Sequence, residues 1–245
     1  MVRLEPPYIV SILITIALWH LSATAPAFKG EGPHYTCGQI AVHLFYLIPF
    51  TPYDWLNVVY WTLSYEFFFY ISAGLLYPLI ARGRLLAVCA LFAAAAVASV
   101  RLGSGPRAEI FLFLIGIAGF RYFIKRDGFA TFLCASAGTA AAIAYFGAPS
   151  MAIAGLAAIG IILFVEIPNY KILSFMGAIS YSLYLLHVPI GGRVVNLGRR
   201  FGGGIIFESA VSLLALLVCI AAASVYWYWL ERPAQLASKR ISLAP

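Results

Sequence analysis

Apolar residues fill this chain in long blocks, and the polar positions are confined to short gaps between them. Blocks at 8–25, 58–80, 85–100, 108–124, 129–146, 150–165, 172–190 and 206–230 are apolar on nearly every face, and Gly, Pro and charged turns separate them. Each reaches or approaches the about 20 residues that an α-helix needs to cross a bilayer. The pattern predicts an all-α, polytopic transmembrane helix bundle of about eight spans. A ninth piece, at about 38–49, is too short to cross and carries Gln39 and His43, so a re-entrant or interfacial helix is expected there. No linker, low-complexity tract or internal repeat divides the blocks, and one membrane-embedded domain over 1–245 is expected.

The first block follows Arg3 and ends in Ala23-Thr24-Ala25, which resembles a signal-peptide cleavage site. Pro26 directly after the small residues hinders cleavage, and a stretch of 18 residues is long enough to span, so a retained helix is predicted.

Composition points the same way. The 245 residues are 63% hydrophobic and 10% charged, against roughly 45–50% and 25% in soluble domains. The net charge of +7 sits in short loops, as orientation signals and contacts with anionic membrane lipids do, and no nucleic-acid partner is implied. With a cytoplasmic N-terminus, ten basic residues fall inside and six outside, so both termini are expected on the cytoplasmic face. Arg121, Lys125 and Arg126 then form an inner-face cluster able to hold cofactor phosphates, or one that simply follows the positive-inside rule.

Three of the four cysteines, Cys89, Cys134 and Cys219, lie in apolar blocks, and no pair of Cys or His residues has metal-ligand spacing on a helix. His20 and His34 lie at or beyond the outer end of the first span, and no Gly-rich phosphate loop follows a strand. No metal and no permanently bound cofactor is expected.

Two stretches carry polar groups at membrane depth. In 60–70 (YWTLSYEFFFY), Glu66 sits in an apolar run where a mid-bilayer carboxylate costs about 2.5–3.5 kcal/mol on insertion scales. Thr62, Glu66 and Tyr70 share a face at i, i+4, i+8, which must turn inward, where Glu66 finds a basic partner or stays protonated. That face is either a hydrogen-bonding staple between helices or a functional site. In 180–189 (SYSLYLLHVP), Ser180, Tyr184 and His187 recur at i, i+4, i+7, with Tyr181 and Tyr184 at i, i+3. His187 there can act as a proton acceptor, or can cap carbonyls freed by Pro189. A third stretch, YWLERPAQ, places Glu231 and Arg232 beside Tyr226, Trp227, Tyr228 and Trp229; Pro233 is expected to stop the helix, and the cluster reads as an interfacial anchor.

Trp61-Thr62-Leu63-Ser64-Tyr65-Glu66-Phe67-Phe68-Phe69-Tyr70 resembles the W-S-L-x-x-E-x-x-F-Y motif of the acyltransferase-3 family of integral membrane O-acyltransferases, with Thr62 in place of the usual Ser. Ser180 to His187 is similar to the family's S-Y-x-x-Y-L-x-H stretch, Glu231-Arg232-Pro233 to its E-x-P ending, and Arg3 to Tyr8 to the tail of its R-x-x-R-I-x-P region. The resemblance runs to about residue 235. It implies transfer of an acyl group, often acetyl, from cytoplasmic acyl-CoA as co-substrate to a hydroxyl of a glycan, polysaccharide or lipid-linked sugar, in a bacterial inner membrane.

The roles it implies are these. Glu66 and His187 are catalytic; Trp61, Thr62, Tyr70, Ser180, Tyr181 and Tyr184 bind substrate; Arg3, Arg121, Lys125 and Arg126 contact the phosphates of CoA. Family members carry two further helices upstream, the first bearing the histidine assigned as base, so this chain by itself is expected to be weakly active or inactive. Two other readings stay open: a non-catalytic remnant or partner subunit, and a proton-coupled transporter, which also suits an intramembrane carboxylate and histidine.

Overall fold

The computed structural model describes residues 3–25, 32–85, 87–90, 93–94, 107–146, 148–166, 168 and 170–240, with 107–109 as backbone alone. These residues are helical, with no strand among them. Three helices are long and apolar enough to cross a membrane: Glu5–Ala23, Lys171–Gly198 and Ile205–Arg240. The helices Ile110–Phe123, Phe129–Tyr145 and Pro149–Phe164 are apolar but shorter, and the block expected at 85–100 lies largely outside the described residues. The structure thus supplies three span-length helices and several shorter apolar ones where the pattern predicts eight spans.

The chain divides into two compact units, Met1–Ser64 with Asn169–Pro245, and Tyr65–Pro168. The first is built on α1 (Glu5–Ala23), which starts at Pro6 and Pro7, where missing N–H groups cost nothing. The short helix α2 (Cys37–Leu44), capped by the Thr36 hydroxyl on the Gln39 N–H, runs back along α1. Tyr35 meets His20 near the C-terminal end of α1, and Tyr46 stacks on Tyr8 near its start, with ring centroids 4.6 Å apart. Tyr46 has φ 59, a left-handed conformation unusual for a bulky residue. Its ring is held by that stack, and the chain turns there toward α3 (Tyr60–Leu75).

The remaining helices of this unit both continue through a proline. In the first, α8 (Lys171–Leu186) passes through a π turn at His187–Gly191 into α9 (Gly192–Gly198). Pro189 has no N–H for the carbonyl of Leu185, and the Asn57 side chain takes that carbonyl instead, Nδ2 donating at 3.3 Å. Cys219 packs closely at this turn: a Cβ on Gly191 would lie 2.9 Å from its Sγ. In the second, α10 (Ile205–Tyr226) passes through a π turn at Trp227–Glu231 into α11 (Arg232–Arg240). The helix stop expected at Pro233 is therefore absent; the extra residue of a π turn absorbs the disruption that proline imposes on the regular ladder.

The second unit contains the rest of α3, then α4 (Tyr77–Arg82), α5 (Arg107–Phe123), α6 (Phe129–Tyr145) and α7 (Pro149–Phe164). The block expected at 58–80 is split at Leu76, because Pro78 cannot donate to the Gly74 carbonyl. Ile80, Val88, Phe111, Leu114, Ile115, Ile117, Ile143 and Ala152 form its core, and Phe69 stacks flat on Phe113 at 3.9 Å. Gly119 and Gly155 let α5 and α7 approach closely, since a Cβ at either would overlap Ile159 or Leu112.

Candidate active site

In the first unit the late stretch of the chain meets the start of α3. Val59 ends the turn before α3, and its carbonyl accepts the Tyr184 hydroxyl at 2.6 Å and the Thr62 hydroxyl at 3.3 Å. The two hydroxyls also touch each other. Two motifs separated by more than a hundred residues therefore share one hydrogen-bonded node. Trp61 lies half-buried on the same first turn.

Three residues beyond Tyr184, the exposed His187 ring places Nδ1 2.8 Å from the Tyr184 carbonyl and 3.2 Å from that of Leu183. A carbonyl only accepts, so Nδ1 is the nitrogen that donates here. In a neutral ring this arrangement makes Nε2 the acceptor, able to take a proton from a hydroxyl. Ser180 and Tyr181, expected beside it, turn elsewhere. The Ser180 hydroxyl donates to the Gly177 carbonyl of its own helix at 2.8 Å, and Tyr181 donates to the Leu4 carbonyl ahead of α1 at 3.1 Å. Arg3 is exposed just before that point.

Behind the node lies a buried polar cluster that the apolar-block pattern conceals. Tyr8, Ser11, His43 and Tyr60 are 0% exposed. Ser11 Oγ and Thr15 Oγ1 lie 2.9 and 3.2 Å from the Tyr60 hydroxyl, and Tyr8 donates to the His43 carbonyl at 3.1 Å. Tyr8, Ser11 and Thr15 recur at i, i+3, i+7 and so form one inward stripe on α1. That spacing was the available signal. The Ser64 hydroxyl, one turn past Tyr60, is buried with no partner among the described residues.

His43 is a staple and not a base. The Leu56 N–H donates to its Nε2 at 3.1 Å, which requires a lone pair there and hence a neutral ring. Burial works in the same direction and pushes its pKa down to about 4. Asn57 is the other missed residue: while Nδ2 holds Leu185, Oδ1 accepts the Val59 N–H at 3.4 Å, so one side chain joins the start of α3 to the end of α8.

Glu231 also departs from expectation. It is not a surface group but 1% exposed, accepting from Ser182 Oγ at 2.6 Å and from Gln235 Nε2 at 2.8 Å. Arg232 is exposed, its guanidinium 5.7 Å over both Trp227 and Tyr228.

In the second unit, Glu66 is half-buried and Tyr70 exposed, and the Tyr70 hydroxyl donates to Glu66 Oε1 at 2.6 Å. The partner of this carboxylate is thus a phenol one turn along its own helix, and among the described residues it has no ion pair. Arg121 is 1% exposed, with every contact structural. Nε and Nη2 grip Asp127 at 2.5 and 3.0 Å, and Nη1 donates to the carbonyls of Ile80 and Gly83 at 2.6 and 2.9 Å. Lys125 and Arg126 remain at the surface, on an open depression of about 430 Å³ lined also by Tyr122, Phe123 and Leu163. Arg126 Nη2 donates to the Arg82 carbonyl at 2.8 Å. No group of three metal-ligating side chains occurs among the described residues.

No curated protein and no solved structure matches the chain. Residues 1–229 match the model of the acyltransferase-3 family, described as an acyltransferase domain. With both family stretches meeting at Thr62 and Tyr184 and the match covering nearly the whole sequence, the chain belongs to the acyltransferase-3 family of membrane acyltransferases.

Proposed function

We propose that this protein transfers an acyl group, acetyl in the simplest case, from acyl-CoA to a hydroxyl of a glycan, polysaccharide or lipid-linked sugar at a bacterial inner membrane. The observation that carries this reading is the match of residues 1–229 to the acyltransferase-3 family, to which the exposed His187 ring, its Nδ1 2.8 Å from the Tyr184 carbonyl, offers Nε2 as a proton acceptor. In the proposed step, Nε2 takes the proton of the acceptor hydroxyl as that oxygen attacks the thioester carbonyl carbon. A tetrahedral oxyanion forms and collapses, the C–S bond breaks, and the thiolate of CoA leaves with the proton returned by the imidazolium.

Tyr184 and Thr62, locked together on Val59, hold the helix ends that frame His187. Glu66, held by Tyr70 on the helix that begins at this node, is proposed to organise the polar surroundings of the acyl donor. Arg3 in the first unit and, separately, Lys125 and Arg126 in the second are proposed as contacts for CoA phosphates; Arg121 serves the latter two indirectly by holding the turn on which they sit.

The test is transfer of radiolabelled acetyl from acetyl-CoA to membrane glycans in cells expressing the chain, with and without any in-frame sequence that precedes Met1. Transfer by wild type, reduced about a hundredfold or more in His187→Ala, supports the reading. Transfer that His187→Ala leaves intact removes His187 from the chemistry, and absence of transfer in all correctly inserted versions overturns the acyltransferase assignment in favour of a non-catalytic membrane role.

A further inference from the structure

Glu231 is a buried carboxylate with no cation bonded to it among the described residues. Its Oε2 accepts twice from one residue, from Ser182 Oγ–H at 2.6 Å and Ser182 N–H at 3.2 Å, and its Oε1 accepts from Gln235 Nε2–H at 2.8 Å. These three donors satisfy it without an ion pair.

The backbone goes out of its way to deliver it. Buried residues along α10 are Ala215, Cys219, Ala223 and Tyr226, at helical spacings, and the next are Glu231 and Ala234. In an unbroken α-helix, five residues turn about 500°, which would leave Glu231 roughly 140° away from Tyr226. The π turn at Trp227–Glu231 takes up the additional residue and returns Glu231 to the inner face. One helix can then hold two others, α1 through the Tyr226 hydroxyl on the Pro7 carbonyl and α8 through Glu231 on Ser182.

Ser182 lies two residues before Tyr184 and five before His187. The other buried side chains of α8, Ile179, Leu185 and Leu186, are aliphatic, and aliphatic packing among lipid-embedded helices is weakly directional. The bond to Glu231 is directional, and about one turn further along Asn57 holds the Leu185 carbonyl. We infer that Glu231 is a positioning residue, acting through Ser182 to fix the rotation and depth of α8 so that Tyr184 reaches Thr62 and Val59 and His187 presents Nε2. Its activity arm rests on the acyl-transfer reading; its structural arm does not.

A glutamine at 231 can still accept both Ser182 donors on its amide oxygen, and the Gln235 amide can rotate to offer oxygen to the new NH₂ group. Alanine leaves all three donors bare. The experiment therefore compares Glu231→Gln, Glu231→Ala and Ser182→Ala in the full chain in membranes, by amide hydrogen exchange over 180–187 and by acetyl transfer with kcat and KM for acetyl-CoA separated. Glu231→Ala should accelerate exchange and lower kcat about ten- to a hundredfold, with KM within about twofold, while Glu231→Gln stays within about threefold of wild type in both.

Ser182→Ala should accelerate exchange over the same residues, and it carries this arm if Glu231→Ala fails to accumulate. Loss of transfer in Glu231→Gln equal to that in Glu231→Ala, with exchange unchanged, would overturn the inference by making the charge itself catalytic. Unchanged exchange in Ser182→Ala and Glu231→Ala would overturn it too. If neither the chain nor a version carrying any in-frame upstream sequence transfers acetyl but the exchange pattern holds, positioning stands and the acyl-transfer reading falls.

Discussion

Around α1, the most buried side chains include Tyr8, Ser11, His43, Tyr60, Ser182 and Glu231, whereas the helices α5, α6 and α7 close over Val88, Ile115, Ile143 and one cation, Arg121. The difference follows from what lipid does to packing. Between helices in a bilayer, apolar burial supplies little net drive, and close contact and hydrogen bonds decide the arrangement. The second unit uses close contact, through Gly119, Gly155 and stacked rings, with a polar clamp of Arg121 on Asp127 at its turn and the hydroxyls of Ser136 and Thr139 buried on α6. The first unit uses hydroxyls, an amide, an imidazole and a carboxylate, each directional, and so fixes the geometry that chemistry needs. A polar interior in a membrane protein is a costly way to pack and a good way to position.

The comparison breaks first at Arg121. Arg121→Met leaves Asp127 and two carbonyls unmatched in a pair whose side chains are 2% and 14% exposed. Loss of about 3–5 kcal/mol is expected, as for breaking a buried pair, read as a large fall in Tm in detergent. A fall no greater than that of a surface substitution would show that the clamp contributes little.

Acid should act on the other unit. Because the folded state holds the His43 pKa near 4, below the ordinary 6.5, the unfolded chain takes up the proton first as pH falls. The stability contributed by neutral His43 is full above about pH 6.5 and is lost toward pH 4, at no more than about 1.4 kcal/mol per pH unit. Tm measured from pH 7 to 4.5 should fall more steeply in wild type than in His43→Gln; parallel curves would deny His43 that role.

A smaller effect is expected at Tyr184→Phe, which removes the hydroxyl on Val59 and Thr62. About 1 kcal/mol of stability should go, with acetyl transfer reduced about tenfold; a loss of stability without a loss of transfer would confine the node to packing. Smallest of all is Ser180→Ala. Among the described residues its hydroxyl serves the Gly177 carbonyl alone, and stability and the transfer barrier should each stay within about 0.5 kcal/mol of wild type. A strong effect there would return Ser180 to the site beside His187.

The helical class was legible because long apolar blocks admit no other architecture in lipid. The node at Thr62 and Tyr184 was legible as two family motifs, although nothing in their spacing says that they touch. Tyr8, Ser11 and Thr15 were present as a helical stripe, hidden because tyrosine, serine and threonine barely interrupt an apolar block. Glu231 was misjudged for a physical reason. A proline two residues later normally ends a helix, and a π turn, which leaves no compositional mark, carried the chain onward and turned the carboxylate inward. Arg121 could not be told from Lys125 and Arg126, since only the fold shows which of three neighbouring cations finds Asp127.

The Asn57 bridge has a consequence in time. Its partner carbonyl, on Leu185, lies 128 residues further along the chain. At about 5–20 residues per second, synthesis takes on the order of ten seconds to supply it. Throughout that interval the beginning of α3 exists with this latch open, so the bond that ties it to α8 belongs to the last stage of how this molecule is made.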